Sequence, residues 1–162
     1  MLIITEENEI IMIYSCSSFE YPMTTNIKKI LVPLDASENS LRSLDYAVDL
    51  AQKYNAEITG LNVLPNMPEM FRDAPPYSEK AQKDAGNMMT EAKKRTSEKN
   101  VKFQDKIVRG SAGKELVKFA EENNFDLIII GSRGIGSVKE AFLGSVSNYI
   151  SHKSNVPVLI VK

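Results

Sequence analysis

The sequence has one cysteine, one histidine and no long apolar run, and each scarcity removes a class of function. Cys16 alone makes no internal disulfide, and it has no histidine or cysteine neighbour with which to build a metal site. His152 is the sole histidine, so most zinc sites and Ser/His or Cys/His catalysis within one chain are excluded unless His152 itself takes part. Its place late in a predicted helix, beside Lys153, suits a cation favoured by the helix dipole. The apolar stretches are a few residues long, far short of the ~20 that span a bilayer. Glu6, Glu7 and Glu9 stand where a signal peptide needs a basic start and an apolar core, which predicts a cytoplasmic protein. An excess of positive charge is also missing: the net charge is −1 and the basic residues are scattered, unlike the footprint of a nucleic-acid binder.

What is present is enough for one ordinary domain: 162 residues, 43% of them hydrophobic and 25% charged. Residues 1–26 differ from the rest. LIIT, EENE and IIMIYS can pair as a hairpin, although the turn lacks a glycine or Asn-Gly signal. Met12 and Met23 are alternative starts, so this segment reads either as an N-terminal appendage outside the core or as an artefact of an upstream start. The domain proper is 27–162. Strand signals at 29–34, 57–64, 101–109, 126–130 and 156–161 alternate with helix signals at 37–53, 79–99, 113–123 and 144–153. Ser37 is a natural N-cap for the first helix, and Leu41, Leu44, Val48 and Ala51 recur along it at helical spacing. Pro65, Pro68, Pro75 and Pro76 mark a loop over 65–78 that is long enough for a flap. Five strands alternating with four helices predict an α/β domain: an open five-stranded parallel sheet with helices on both faces and right-handed crossovers.

The stretch DLIIIGSRGIGSVKEAFLGSVS, residues 126–147, joins a buried strand to a glycine-punctuated loop and then to a helix start. Glycine admits close backbone approach, and the first free amides of a helix carry roughly half a positive charge, so the segment reads as a phosphate cradle. Turn punctuation alone is the competing reading. Two standard motifs fail. A Walker A loop requires lysine after its second glycine, but Gly136 is followed by Ser137 and Val138. The dinucleotide pattern from Gly134 and Gly136 meets Lys139 where its third glycine belongs.

In an open parallel sheet a ligand sits beyond the carboxyl ends of the strands, where the strand order reverses. Asp35, after the first strand, and the glycine loop, after the fourth, are the candidates for its two sides. Asp35 reads equally as a turn residue before the first helix. A functional Asp35 would meet a ribose hydroxyl, a base amine or a bridging cation, since a carboxylate repels bare phosphate.

KILVPLDASENSLRSLDYAVDLA, the glycine loop with Gly144 and Ser145 behind it, and the closing SNVPVLIVK together resemble the universal stress protein family, in its nucleotide-binding branch. The resemblance spans about 27–162. It implies a Rossmann-like sheet of order 3-2-1-4-5, with the first and fourth strands adjacent. It also implies ATP as the cofactor, with or without Mg2+ or Mn2+. Pro33, Leu34 and Asp35 would form the nucleoside side, with Val63 near the base. Gly131, Ser132, Arg133 and Gly134 would line the ribose and phosphate turn, while Gly144, Ser145, Val146 and Ser147 would hold phosphates through amides and hydroxyls. Leu34 and Arg133 depart from members with a small polar residue and a histidine at those places. The resemblance further implies a homodimer in which the last strand, Val156–Val161, pairs with its two-fold mate; coverage of that edge by the N-terminal segment is the alternative. The function expected is that of an ATP-binding regulatory protein of the stress response, with no residue assigned a catalytic role. A slow metal-dependent ATP hydrolase and a nucleotide-free dimeric scaffold are the competing readings.

Overall fold

The computed structural model describes residues 2–6, 9–14, 26–66, 75–135 and 143–162, with the backbone alone over 2–14 and 75–78. The elements run β1 (Leu2–Glu6), β2 (Glu9–Tyr14), β3 (Lys29–Pro33), α1 (Glu38–Tyr54), β4 (Glu57–Leu64), α2 (Pro75–Glu98), β5 (Phe103–Arg109), α3 (Ala112–Glu122), β6 (Leu127–Gly131), α4 (Ser145–Lys153) and β7 (Val158–Val161). They build one sheet of order β1-β2-β7-β6-β3-β4-β5. The five strands from β3 onward are parallel, and their order is the 3-2-1-4-5 expected.

Period-two alternation on buried strands dictates the two-faced core. Ile30, Leu31 and Val32 are all fully buried, and they face alternate sides. Ile30 and Val32 pack with Leu44, Val48, Met88 and Met89 of α1 and α2, where the two methionines act as core fillers. Leu31 packs with Leu116, Ala120 and Ile150 of α3 and α4. Ser37 caps α1 as predicted, accepting the Ser40 N–H at 3.2 Å. The chain leaves α1, α2 and α3 through Asn55, Asn100 and Asn124 in left-handed conformation, a turn that asparagine tolerates better than most residues. Asp126, expected to open the fourth strand, precedes it instead and accepts the Lys28 and Lys29 N–H groups, each at 2.8 Å.

Two boundaries differ from expectation for physical reasons. Helix α2 starts at Pro75, because proline is at ease in a first turn where the amide has no acceptor anyway. The remainder of the predicted flap, 67–74, lies outside the described residues. Gly86 stands inside α2 with nothing within 4 Å of a Cβ placed there. Gly86→Ala is therefore expected to raise stability by about 0.5–1 kcal/mol, read as a higher urea midpoint at unchanged slope.

The second difference is at the sheet edge. The last parallel strand was expected to pair with a two-fold mate, with coverage by the N-terminal segment as the alternative, and within this chain β2 occupies that edge. It pairs antiparallel with β7 in the register Met12↔Ile160, Ile13↔Leu159 and Tyr14↔Val158. An apolar strand tethered on the same chain is at high local concentration beside any unpaired ladder, which explains the capture. Strand β1 completes the hairpin, from Leu2↔Ile13 to Glu6↔Glu9.

Candidate functional site

Strands β4 and β5 extend the sheet to one side of β3, while β6 and β7 extend it to the other, so the order reverses between β3 and β6. Beyond the carboxyl ends of these strands lies a hollow of about 220 Å³. Pro33, Leu34 and Asp35 line it from β3, Leu61, Asn62 and Val63 from β4, Ile130 and Gly131 from β6, and Arg133, Gly134 and Ile135 from the loop after it. Gly144, Ser145, Val146 and Ser147 close the wall at the start of α4, with Ser40 of α1 and with Ala112 and Leu116 of α3.

Every site residue expected from the sequence lines this hollow except Ser132. Its N–H donates to Val161 O at 2.6 Å and its carbonyl accepts the Gly144 N–H at 2.7 Å, so it ties β7 and the α4 start to the loop. Its hydroxyl is buried without a partner. Leu34 contributes backbone: its side chain is in the core, its N–H donates to Leu61 O at 3.0 Å, and its carbonyl accepts from Asn62 Nδ2 at 2.7 Å.

Asp35 takes the expected turn role, and its second oxygen makes a bond that the sequence does not predict. Oδ1 accepts the Ser37 N–H at 3.0 Å and the Ser37 hydroxyl at 2.6 Å, the closed turn of an aspartate before a helix. Oδ2 accepts the Ile135 N–H at 2.9 Å, clasping the glycine loop to the β3 end. Ala36, between Asp35 and Ser37, has φ 67°, a costly conformation for a residue with a Cβ that the paired carboxylate holds in place.

The glycines are needed for reasons internal to the fold as well as for an open hollow. A Cβ at Gly134 would fall on Asp35 Oδ2, so the clasp requires its absence. A Cβ at Gly131 would lie 2.7 Å from the backbone carbonyl of Asn39, where the first turn of α1 presses on the end of β6. Gly144 is different: the nearest atom to a Cβ there is Arg133 Cα at 3.4 Å, an ordinary contact. As N-cap of α4 it provides no side chain to bond the first-turn amides. Ser147, expected to offer a hydroxyl to a phosphate, donates it instead to Gly131 O at 2.7 Å. What α4 presents to the hollow is thus the backbone of its first turn and the exposed Ser145, with the partial positive charge of a helix start.

Sequence reasoning missed Ser40, Leu61, Asn62, Ala112, Leu116, Ile130 and Ile135. Asn62 carries a signal, since a buried amide inside an apolar strand asks for a partner, and here the partner is Leu34 O. Ala112 and Leu116 carry none, being ordinary first-turn residues that reach the hollow through the docking of α3. Among the described residues that line the hollow, Asp35 is the only acidic side chain. Among the described residues no three His, Cys, Asp or Glu side chains come together as metal ligands.

A parallel α/β sheet with a hollow at its switch point defines a broad class of protein. The universal stress protein family model matches residues 26–162, and the chain belongs to that family. Universal stress protein YxiE of Bacillus subtilis is 35% identical over 147 residues, 83% of this chain and 98% of that one. Universal stress protein MJ0577 of Methanocaldococcus jannaschii is 32% identical over 158 residues. Its solved structure superposes with a TM-score of 0.74 over 84% of this chain and 96% of that one. A solved universal stress protein in complex with cAMP is 26% identical, with a TM-score of 0.69 over 84% of this chain and 97% of that one. Among the described residues no helix is long and apolar enough to cross a membrane.

Proposed function

We propose that the hollow binds an adenine nucleotide, ATP in the first place, and that the protein is a cytoplasmic regulator of the stress response whose bound nucleotide biases what it associates with. The observation that carries this is the uncapped start of α4, Gly144 to Ser147, lining the same hollow as the ends of β3 and β4. A helix start without a side-chain cap is an anion site, and the apolar walls at Leu61, Val63, Ile130 and Leu116 suit a flat base. At about 220 Å³ the hollow is below the roughly 300 Å³ where ligand pockets usually begin, so it suits the nucleoside, with the phosphates running out past Gly144 and Ser145. The complex of a relative with cAMP supports the ligand class. Asp35, with both oxygens committed to Ser37 and Ile135, favours a holding site over one that ligates a cation or activates water.

Protein freed of ligand and titrated with ATP by calorimetry, with and without magnesium, should give a saturable heat. Its melting temperature should rise with ATP concentration, by the equivalent of about 2.7 kcal/mol at a hundredfold excess over Kd. Absence of both signals would end the proposal.

A further inference from the structure

We propose that Asn62 is the positioning residue for the base side of the hollow: its side-chain amide acts as one last rung between β3 and β4 and fixes how far apart the two strand tips stand. The inference rests on the reading of the hollow as an adenine-nucleotide site. Strands β3 and β4 do not end together. Their register stops at Pro33↔Leu61, the Leu34 N–H donates to Leu61 O at 3.0 Å, and the chain then turns through Asp35 into α1. Strand β4 runs on beside β5, through Asn62↔Ile107 and Val63↔Val108 to Leu64↔Arg109. Leu61 O faces β3 and Leu64 O accepts the Gly110 N–H on the β5 side, so by strand alternation the backbone of Val63 faces the place that β3 has vacated. Val63 lines the hollow, and a flat base enters beside it only while the tips keep their separation.

Asn62 holds that separation. Leu34 O can only accept, so the end of the amide that meets it is Nδ2, at 2.7 Å, just beyond the point where the ladder stops. Leu34 is thereby held from three directions: its N–H is on Leu61 O, its carbonyl is on Asn62, and its side chain lies over Gly60, where an added Cβ would stand 2.9 Å from Leu34 Cδ1. The next residue is Asp35, so the same rung sets where the clasp to the glycine loop begins. As a stabiliser of the fold the amide is poor. Asn62 is buried, and its Oδ1 has no hydrogen-bond partner among the described residues. Leucine, of similar shape, removes that orphaned acceptor and orphans Leu34 O in exchange, a near-neutral change in stability. What leucine takes away is the rung.

The test compares the parent with Asn62→Leu and with Asn62→Asp, which has the shape of asparagine but two acceptors and no amide donor. ATP and UTP are titrated by calorimetry; they share ribose and triphosphate, so the ratio of their affinities isolates the base. The parent should prefer ATP. Asn62→Leu should unfold at the parent's urea midpoint, yet bind ATP about tenfold more weakly with UTP little changed, so that the preference shrinks by the same factor. Asn62→Asp should lose the preference too and be less stable, because its carboxylate faces the Leu34 carbonyl. A parent that binds neither nucleotide ends the adenine-nucleotide reading and this proposal with it. A parent that binds ATP while Asn62→Leu keeps both affinity and preference overturns the positioning role alone. Equal losses for ATP and UTP, a lower urea midpoint at unchanged preference, or a parent that binds both nucleotides alike overturn it as well. If Asn62→Asp does not fold, Asn62→Leu decides.

Discussion

Gly131→Ala should destabilise the protein by about 3 kcal/mol, at the upper end of what overpacking one methyl usually costs. The added Cβ would lie 2.7 Å from the backbone carbon and oxygen of Asn39, and backbone cannot rotate out of the way as a side chain can. Relief requires α1 to move off β6, yet the first turn of α1 is held by Ser37, Ser40 and the Asp35 carboxylate, so the shift propagates into the wall of the hollow. Urea unfolding at constant slope measures the loss, and nucleotide affinity should fall with it. Gly86→Ala is the matched control, since there the same methyl meets open space and the sign reverses. Equal effects at the two positions would show that backbone freedom in the unfolded chain, and not the Asn39 contact, sets the cost at Gly131.

The difference between those glycines marks how far the sequence could be read. Strand and helix order, the Ser37 cap and the two-faced core were legible because each depends on neighbours within a few positions. The lining of the hollow was legible as a set because strand ends and loops after parallel strands converge by topology: Pro33 to Asp35, Val63, Gly131, Arg133, Gly134 and Gly144 to Ser147 meet there without any residue knowing its partner. Which atoms meet was not legible. Asn39 is 92 positions from Gly131 and approaches it only because α1 lies across β6, so the glycine read from the sequence as a ligand cradle has a packing need that the sequence does not show. Ser147 spends its hydroxyl on Gly131 O, and Ser132 turns its hydroxyl inward, for the same tertiary reason. The hairpin was visible as two apolar runs, and its pairing with β7 stood only as the alternative to a two-fold mate, since any open edge would satisfy the same pattern.

Gly144→Asp separates holding the fold from holding the nucleotide, and it should give the larger change in binding. Position 144 has φ −71° and ψ 164°, extended backbone that aspartate adopts without strain, and its Cβ would meet nothing closer than 3.4 Å. Aspartate is among the best N-caps: its carboxylate would accept the first-turn amides of α4, which the present glycine leaves without a side-chain partner, and would complement the helix dipole. The variant should therefore fold at least as stably as the parent, with a gain of a few tenths of a kcal/mol. The same carboxylate would stand where the phosphates are proposed to lie, competing for their amides and repelling their charge. Losing two charge-assisted hydrogen bonds at ~1.5 kcal/mol each weakens ATP more than a hundredfold, before repulsion is counted. Adenosine, which brings no phosphate, should bind the variant almost as it binds the parent. That pairing distinguishes a blocked phosphate site from a damaged hollow: if adenosine is lost along with ATP, the aspartate has disturbed the base side and the α4 assignment fails, and if ATP affinity is unchanged the phosphates are held elsewhere.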